Sequence, residues 1–229
     1  MYIHAVTGSL NDTVRRAWIP ISTASVVLAL VVVVGIKASS GGDGVQGPIV
    51  VDTSAYPWSL DPEAAIRWSK LVVVGSVEDV DLPRWTTADG NPPTDFMSSG
   101  NTSGELVFQT AHVRVERVVA GEYEGDTIPV TVVGGTTDDV EFRADDFGPG
   151  LEVGDQLMLF LAPPTAGGTW DFGQNWTRIQ TYLLDTENHT ASAYLQEVLP
   201  ISELEHRVGA VRDTLGEAAR ERGLFGQSD

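Results

Sequence analysis

Eighteen consecutive residues without a charged side chain, Ile19 to Ile36, constrain this chain more than any other feature. The run reads IPISTASVVLALVVVVGI, and as an α-helix it spans roughly 27 Å, about the hydrocarbon thickness of a bilayer. Its Val, Leu and Ala side chains leave no polar face, which a helix packed on a soluble core would need. The run therefore predicts a transmembrane helix over residues 19–36.

The residues before this run predict how the chain is oriented in the membrane. Arg15 and Arg16 precede the run, and basic flanks stay on the cytoplasmic side, while Trp18 fits the interfacial aromatic belt. We therefore expect a single-pass signal anchor in the cell membrane, with residues 1–18 inside and the C-terminal domain outside. The alternative is a protein secreted after signal-peptide cleavage near Ser40. Its apolar region would exceed the usual ~7–15 residues, which favours the retained anchor.

Charge and cysteine content exclude several classes of function. Beyond Lys37 the chain carries 31 acidic and 11 basic residues, a net charge of −20. Such a surface repels nucleic-acid phosphates and anionic lipids, so we expect no nucleic-acid partner. The chain has no cysteine, which excludes disulfides, thiolate metal ligands and cysteine nucleophiles. Folding of an exported domain must then rest on its hydrophobic core.

Composition and periodicity divide the rest of the chain into three parts. Residues 37–60 are rich in Gly, Ser, Asp and Pro and predict a flexible spacer. Residues 61–200 predict an exported β domain. Residues 201–223 predict a C-terminal amphipathic helix, because apolar residues recur there at spacings of three and four: Ile201, Leu204, Val208, Val211 and Leu215.

Within the predicted domain, local patterns favour a mainly β fold with flanking helices. Asp61 and Pro62 resemble a helix start, and that helix should run to about Ser69. Residues 81–104 contain two consecutive prolines and little periodicity, which predicts a long loop. Apolar or alternating runs predict buried strands at 71–77 and 156–162, a hairpin over 105–133, and further strands at 170–184 and 191–199.

Four strings in this part of the chain carry a family resemblance: LVVVGSV at 71–77, HVRVERVVAG at 112–121, IPVTVVGG at 128–135 and GDQLMLFLAP at 154–163. Over roughly residues 61–184 the chain resembles exported bacterial domains related to the five-stranded oligonucleotide/oligosaccharide-binding (OB) barrel, and more distantly netrin-like and tissue-metalloproteinase-inhibitor domains. The resemblance implies a small, partly open Greek-key barrel with a flanking helix. The inhibitors' N-terminal cysteine and the basic surface of nucleic-acid-binding barrels are both missing here, so the resemblance implies the fold alone.

The loop 134–150 is the densest acidic segment of the predicted domain. Its carboxylates are candidate Ca²⁺ ligands, because Ca²⁺ takes several oxygen ligands in a flexible geometry. Their spacing does not match an EF-hand, which favours a solvated loop without metal. The five candidates are Asp138, Asp139, Glu141, Asp145 and Asp146.

Three aromatic residues, Trp170, Phe172 and Trp176, are the candidates for a binding surface, since an aromatic strip on a barrel can bind a sugar or a peptide. The alternative is that they belong mainly to the core.

Three N-x-[ST] strings lie beyond the predicted span, and they begin at Asn101, Asn175 and Asn188. Such strings accept glycans in organisms that glycosylate them.

Motifs for catalysis are weak in this chain. None of the four histidines forms an i, i+4 pair, and the strings HExxH and GxSxG are absent. We therefore predict no catalytic residue, metal or cofactor, and a non-catalytic binding or accessory module at the cell surface with an unidentified protein or glycan partner. The alternative is an exported hydrolase that uses its acidic residues.

Overall fold

The computed structural model describes residues 34–37, 49–53, 62–138, 140–144, 150–164, 170–193, 196 and 198–221. Over these residues the protein is mainly β, with flanking helices, as the sequence predicts. No helix in this described part is both long and apolar enough to cross a membrane. The predicted cytoplasmic residues 1–18 and residues 19–33 of the predicted span lie outside it.

The helices are α1 (Pro62–Trp68), α2 (Phe96–Ser99) and α3 (Ile201–Glu221). The strands are β1 (Val34–Lys37), β2 (Ile49–Thr53), β3 (Leu71–Val80), β4 (Arg84–Trp85), β5 (Val107–Ala120), β6 (Thr127–Val133), β7 (Gly135–Thr136), β8 (Val140–Arg143), β9 (Gln156–Ala162), β10 (Trp176–Asp185), β11 (Thr190–Ser192) and β12 (Leu199–Pro200).

Five of these strands pair in a circuit that returns to its starting strand. β3 pairs antiparallel with β5 and with β9, β5 pairs antiparallel with β6, and β9 pairs antiparallel with β10. β10 then pairs in parallel with β6, through Trp176 opposite Val130 and Thr177 opposite Thr131. We call these five strands the closed sheet. β11 and β12 extend it from the other end of β10.

Alternate residues of the closed sheet form the inner core. Val113 of β5 lies opposite Ile128 of β6, and Val73 of β3 lies opposite Leu159 of β9; all four are buried. Residues paired across neighbouring strands point to the same side of a sheet, and successive residues of one strand point to opposite sides. The pairing and this alternation together determine which side chains point inward. Leu151, from the segment before β9, joins the strand residues of the inner core, which are Leu71, Val73, Val77, Ala111, Val113, Ile128, Val130, Val132, Leu157, Leu159 and Leu161.

The two longer helices cover one outer side of the closed sheet. Phe160 of β9 is fully buried there, as its position in an apolar strand predicts, and its ring lies 5.7 Å from that of Tyr182. Arg212 of α3 donates from Nη2 to the carbonyl oxygen of Ser69 at 2.8 Å, at the end of α1. The amphipathic pattern is confirmed, because Leu204, Val208 and Val211 of α3 belong to the same buried cluster as Phe160 and Tyr182.

A third cluster, rich in aromatic rings, lies under the segment between β3 and β5. The sequence predicts a loop over 81–104, but this segment contains β4 and α2 and buries Trp85 and Phe96, whose ring centroids are 4.9 Å apart. Phe108, Phe142 and Phe172 belong to the same cluster. The prolines interrupt periodicity without preventing burial, which is why the pattern alone misses this part of the core.

A separate small sheet has the order β1-β2-β8-β7. It differs from the predicted spacer, because β2 lies within residues 37–60 and buries Val51 completely. The last three residues of the predicted transmembrane helix, 34–36, also belong to this sheet, because β1 (Val34–Lys37) pairs antiparallel with β2. The β-branched strand β2 pairs with β1 on one edge and with β8 on the other. The backbone groups on both edges, which would otherwise stay unpaired, are therefore hydrogen-bonded.

Two predicted strand boundaries are wrong. The strand predicted over 170–184 begins only at Trp176, since Trp170–Asn175 forms a turn-containing segment. The strand predicted over 191–199 is two short strands, β11 and β12, of three and two residues. The hairpin of β5 and β6 and the strands β3 and β9 lie where the sequence predicts them.

Candidate functional site

The acidic loop is partly a structured edge of the small sheet. β7 and β8 occupy residues 135–136 and 140–143, and Val140 and Phe142 of β8 are buried in the aromatic cluster. Alternation places Glu141 on the opposite, half-buried side of β8. Part of the segment predicted to be a solvated loop therefore anchors β2, through parallel pairs such as Val51 with Phe142.

Of the five candidate calcium ligands, the described residues include two. Asp138 is exposed, and Glu141 accepts a hydrogen bond from Nε of Arg143 at 2.7 Å. That hydrogen bond, with the charge of the same guanidinium, lowers the pKa of Glu141. Asp139, Asp145 and Asp146 lie outside the described residues. Within the described part of the chain, no group of three or more His, Asp or Glu residues has the geometry to hold a metal ion.

The structure separates the three candidate aromatic residues into two places. Phe172 is 6% exposed and packs edge-on against Phe108, with centroids 5.2 Å apart, so it is a core residue and not part of a surface. Trp170 is half-buried beside it and donates from Nε1 to the carbonyl oxygen of Gly104 at 2.7 Å. Trp170 therefore retains an accessible edge next to the aromatic cluster.

Trp176 lies elsewhere, at the start of β10. Its ring meets that of Tyr123 edge-on at 6.3 Å, against the inner core, and the Tyr123 hydroxyl donates to the carbonyl oxygen of Thr127 at 2.7 Å. Desolvation raises the pKa of Tyr123, so this hydroxyl stays protonated at neutral pH. Trp176 and Tyr123 are both half-buried. The sequence cluster of three aromatic residues is thus not one continuous strip.

The segment 170–175 lies across the outer face of β5. The ring of Phe172 covers Phe108 of β5. Two residues further along β5, the hydroxyl of Thr110 accepts a hydrogen bond from Nδ2 of Asn175 at 2.8 Å. Thr110 and Asn175 are both buried. One half of the outer face of β5 and β6 is therefore occupied by the chain itself.

The other half of that outer face is open. Its residues are His112 and Arg114 of β5 with their cross-strand partners Pro129 and Thr127 of β6, and we call this set the open face. They alternate with the buried residues of the inner core, so they point away from it. All four are exposed or half-buried.

Carboxylates surround the basic groups of the open face. His112 Nε2 lies 3.1 Å from Oδ1 of Asp81, and Arg114 lies 3.7 Å from Glu78 and 3.8 Å from Glu116. These side chains are one-third exposed or more, so the pairs contribute little to stability. They make the open face a polar surface whose positive charges are already balanced by acids.

Sequence reasoning did not single out several residues that shape this region. Asp81 follows the predicted strand end, and its pairing with His112 depends on the register of β3 and β5. Arg178 of β10 lies opposite the inward-facing Leu161, and burial lowers its pKa to about 10, so it remains positively charged at neutral pH. For the open face, the alternation within β5 signals only that His112 and Arg114 share a side of the sheet.

Neither a known family model nor a curated protein matches the sequence.

Proposed function

We propose that this chain is a single-pass membrane protein, with its N-terminus inside, whose exported β domain is a non-catalytic binding or accessory module at the cell surface. The flanking Arg15 and Arg16, the uncharged run and the strongly acidic remainder support this topology. The pairing of Val34–Lys37 with β2 moves the end of the proposed span to about residue 33. Residues 19–33 of the predicted span remain, and the uncharged Ala17 and Trp18 before them extend it to about 17 residues, the lower end of the ~17–25 that suit a membrane helix.

We propose further that the closed sheet is an OB-like Greek-key barrel. The order β9-β3-β5-β6 places the fourth strand in sequence beside the first, which is the Greek-key arrangement. Closure through β10 uses five strands, the number in the OB barrel. α1 and α3 then correspond to flanking helices, in agreement with the family resemblance in the sequence.

One observation carries the proposed binding role: the inside of the closed sheet is filled by apolar side chains, while half of its outer β5–β6 face is uncovered. Because apolar side chains fill the interior, a ligand would have to bind on the outside of the sheet. The open face is the surface that we propose for the partner, and the half-buried Trp170 and Trp176 are separate candidates outside it.

Charge favours one class of partner. The net charge of −20 beyond Lys37 attracts a cationic surface and accelerates its association at low ionic strength. Of the two classes of partner that the sequence leaves open, protein and glycan, a protein with a basic surface is therefore the better match.

Photo-crosslinking in the membrane tests this proposal. A photoreactive residue replaces Thr127 on the open face, Trp170 at the aromatic edge, or, as a matched control, the exposed Ala210 of α3. We expect an adduct with a basic protein from Thr127 or Trp170, weakened by added salt, and none from Ala210. Equal adducts from all three positions, or hydrolysis of the captured partner by the purified chain, would contradict a non-catalytic binding module.

A further inference from the structure

Asparagine is rare in this chain and nearly always begins the same motif. The five asparagines are Asn11, Asn91, Asn101, Asn175 and Asn188, and all except Asn91 stand two residues before Ser or Thr. Serine and threonine together are 35 of the 229 residues, so chance would place one there for fewer than one asparagine in five. The N-x-[ST] string is the acceptor motif for N-linked glycans.

We propose that Asn101 and Asn188 are N-glycosylation sites, whereas Asn11 and Asn175 are not. The proposal rests on export of the domain, because the transferase and its lipid-linked oligosaccharide donor act on the outer side of the membrane. In this transfer a bond forms between Nδ2 of the asparagine and C1 of the first sugar, while the bond from C1 to the donor's phosphate oxygen breaks. The lipid phosphate leaves, and one Nδ2 proton passes to a base of the transferase.

Asn101 presents its side chain at the surface, after α2. It is exposed, and its Oδ1 accepts a hydrogen bond from the backbone N–H of Ser103 at 2.9 Å. The amide oxygen is therefore engaged within the motif, and among the described residues no hydrogen-bond partner of Nδ2 is found. Ser103 is itself exposed, so both polar groups of this motif are accessible to an enzyme.

Asn188 lies in the turn that joins β10 to β11 and is also exposed. Its Nδ2 donates to Oδ2 of Asp185 at 2.7 Å, and its backbone N–H donates to Oδ1 at 3.0 Å. These bonds lower the pKa of Asp185. A glycosylated Asn188 keeps one N–H on Nδ2, so the bond to Asp185 and the turn are compatible with the sugar.

The other two motifs are internal controls. Asn175 is 7% exposed, and its Nδ2 donates to Thr110 beneath the segment that crosses β5, where a sugar would have no room. Asn11 lies outside the described residues and precedes Arg15, on the inner side of the proposed span. The same motif therefore occurs in two accessible and two inaccessible positions.

Glycopeptide mass spectrometry on the full chain, purified from membranes of its source organism, tests the proposal. We expect a glycan on Asn101 and on Asn188, and none on Asn11 or Asn175. Asn101→Gln and Asn188→Gln should each remove one glycan mass. Thr190→Ala should also remove the glycan of Asn188 although the asparagine remains, and Thr190→Ser should retain it.

A parallel measurement separates failure of this proposal from failure of the proposed function. The chain has no cysteine, so Asp213→Cys on the exposed side of α3 introduces a single thiol that a membrane-impermeant maleimide labels in intact cells only if the domain is exported. Unmodified Asn101 and Asn188 in a labelled population would overturn the glycosylation sites alone. An unlabelled and unmodified population would overturn both proposals. A glycan on Asn175 would contradict selection by the folded structure.

Discussion

Gly75 is the residue at which the closed sheet leaves the least room for a side chain. A Cβ atom built there would lie 2.2 Å from the carbonyl oxygen of Arg114, a backbone atom of the neighbouring strand β5. The backbone cannot give way as a flexible side chain would, so β3 and β5 must separate. Gly75→Ala should therefore destabilise the protein by about 3 kcal/mol, measured by chemical unfolding.

Gly209 provides the matched control for this substitution. It is an exposed residue of α3, and no atom lies within 4 Å of a Cβ built there. Gly209→Ala should stabilise the protein by about 0.5–1 kcal/mol, because alanine loses less backbone entropy in a helix. A neutral Gly75→Ala, or two substitutions with the same sign, would contradict the close approach of β3 and β5.

Phe160 tests the packing of the closed sheet against α1 and α3. Its side chain is fully buried against Tyr182, so Phe160→Ala should cost roughly 3–5 kcal/mol of unfolding free energy. Leu82 is 88% exposed, and Leu82→Ala should change stability by less than about 0.5 kcal/mol. A loss below about 1 kcal/mol for Phe160→Ala would mean that β9 does not present this face to α1 and α3.

At the scale of elements, local patterns predict those parts of the fold whose partners are close in sequence or whose strands are strongly apolar. The run LVVVGSV and the run QLMLFLA predict β3 and β9, and the alternation in β5 predicts its inward residues. The site is less predictable, because contacts distant in sequence decide it. Phe172 enters the core only because segment 170–175 crosses β5, and no local pattern marks that crossing.

The element that the sequence misses most completely is β2. Residues 37–60 have the composition of a spacer, and the short run Ile49–Thr53 becomes a strand only because β8, about 90 residues later, provides a partner. A hairpin is signalled by a short turn sequence, whereas the parallel pairing of β2 with β8 has no such local signal. A strand within the predicted spacer brings the folded domain close to the end of the proposed span.

Substitution of Val51 tests the docking of β2. Val51 is fully buried, so Val51→Asp would place an unpaired carboxylate in the aromatic cluster and release β2 from β8. Amide hydrogen exchange in β8 should accelerate at least about tenfold, the factor for ~1.4 kcal/mol of lost local stability. Asp52→Asn, at an exposed position of the same strand, should leave exchange unchanged. Unchanged exchange in Val51→Asp would contradict docking.

At the scale of the whole molecule, like-charge repulsion is the dominant electrostatic term. With 31 acidic and 11 basic residues beyond Lys37, added salt should screen repulsion and stabilise the folded state. Raising NaCl from 0.05 to 0.5 M should increase the unfolding temperature by about 2–4 °C, which corresponds to on the order of 1 kcal/mol. CaCl₂ at matched ionic strength should add nothing further. A saturable calcium effect, abolished by Asp138→Asn with Asp139→Asn, would instead indicate a calcium site.

Thiol labelling in intact cells tests most directly the central claim, an exported domain on an N-in membrane anchor. Single cysteines replace Thr13, before the proposed span, and Asp213, on the exposed side of α3. A membrane-impermeant maleimide should label Asp213→Cys in intact cells, label Thr13→Cys only after permeabilisation, and leave both chains in the membrane fraction. Protection of Asp213→Cys until the cells are permeabilised would contradict the account.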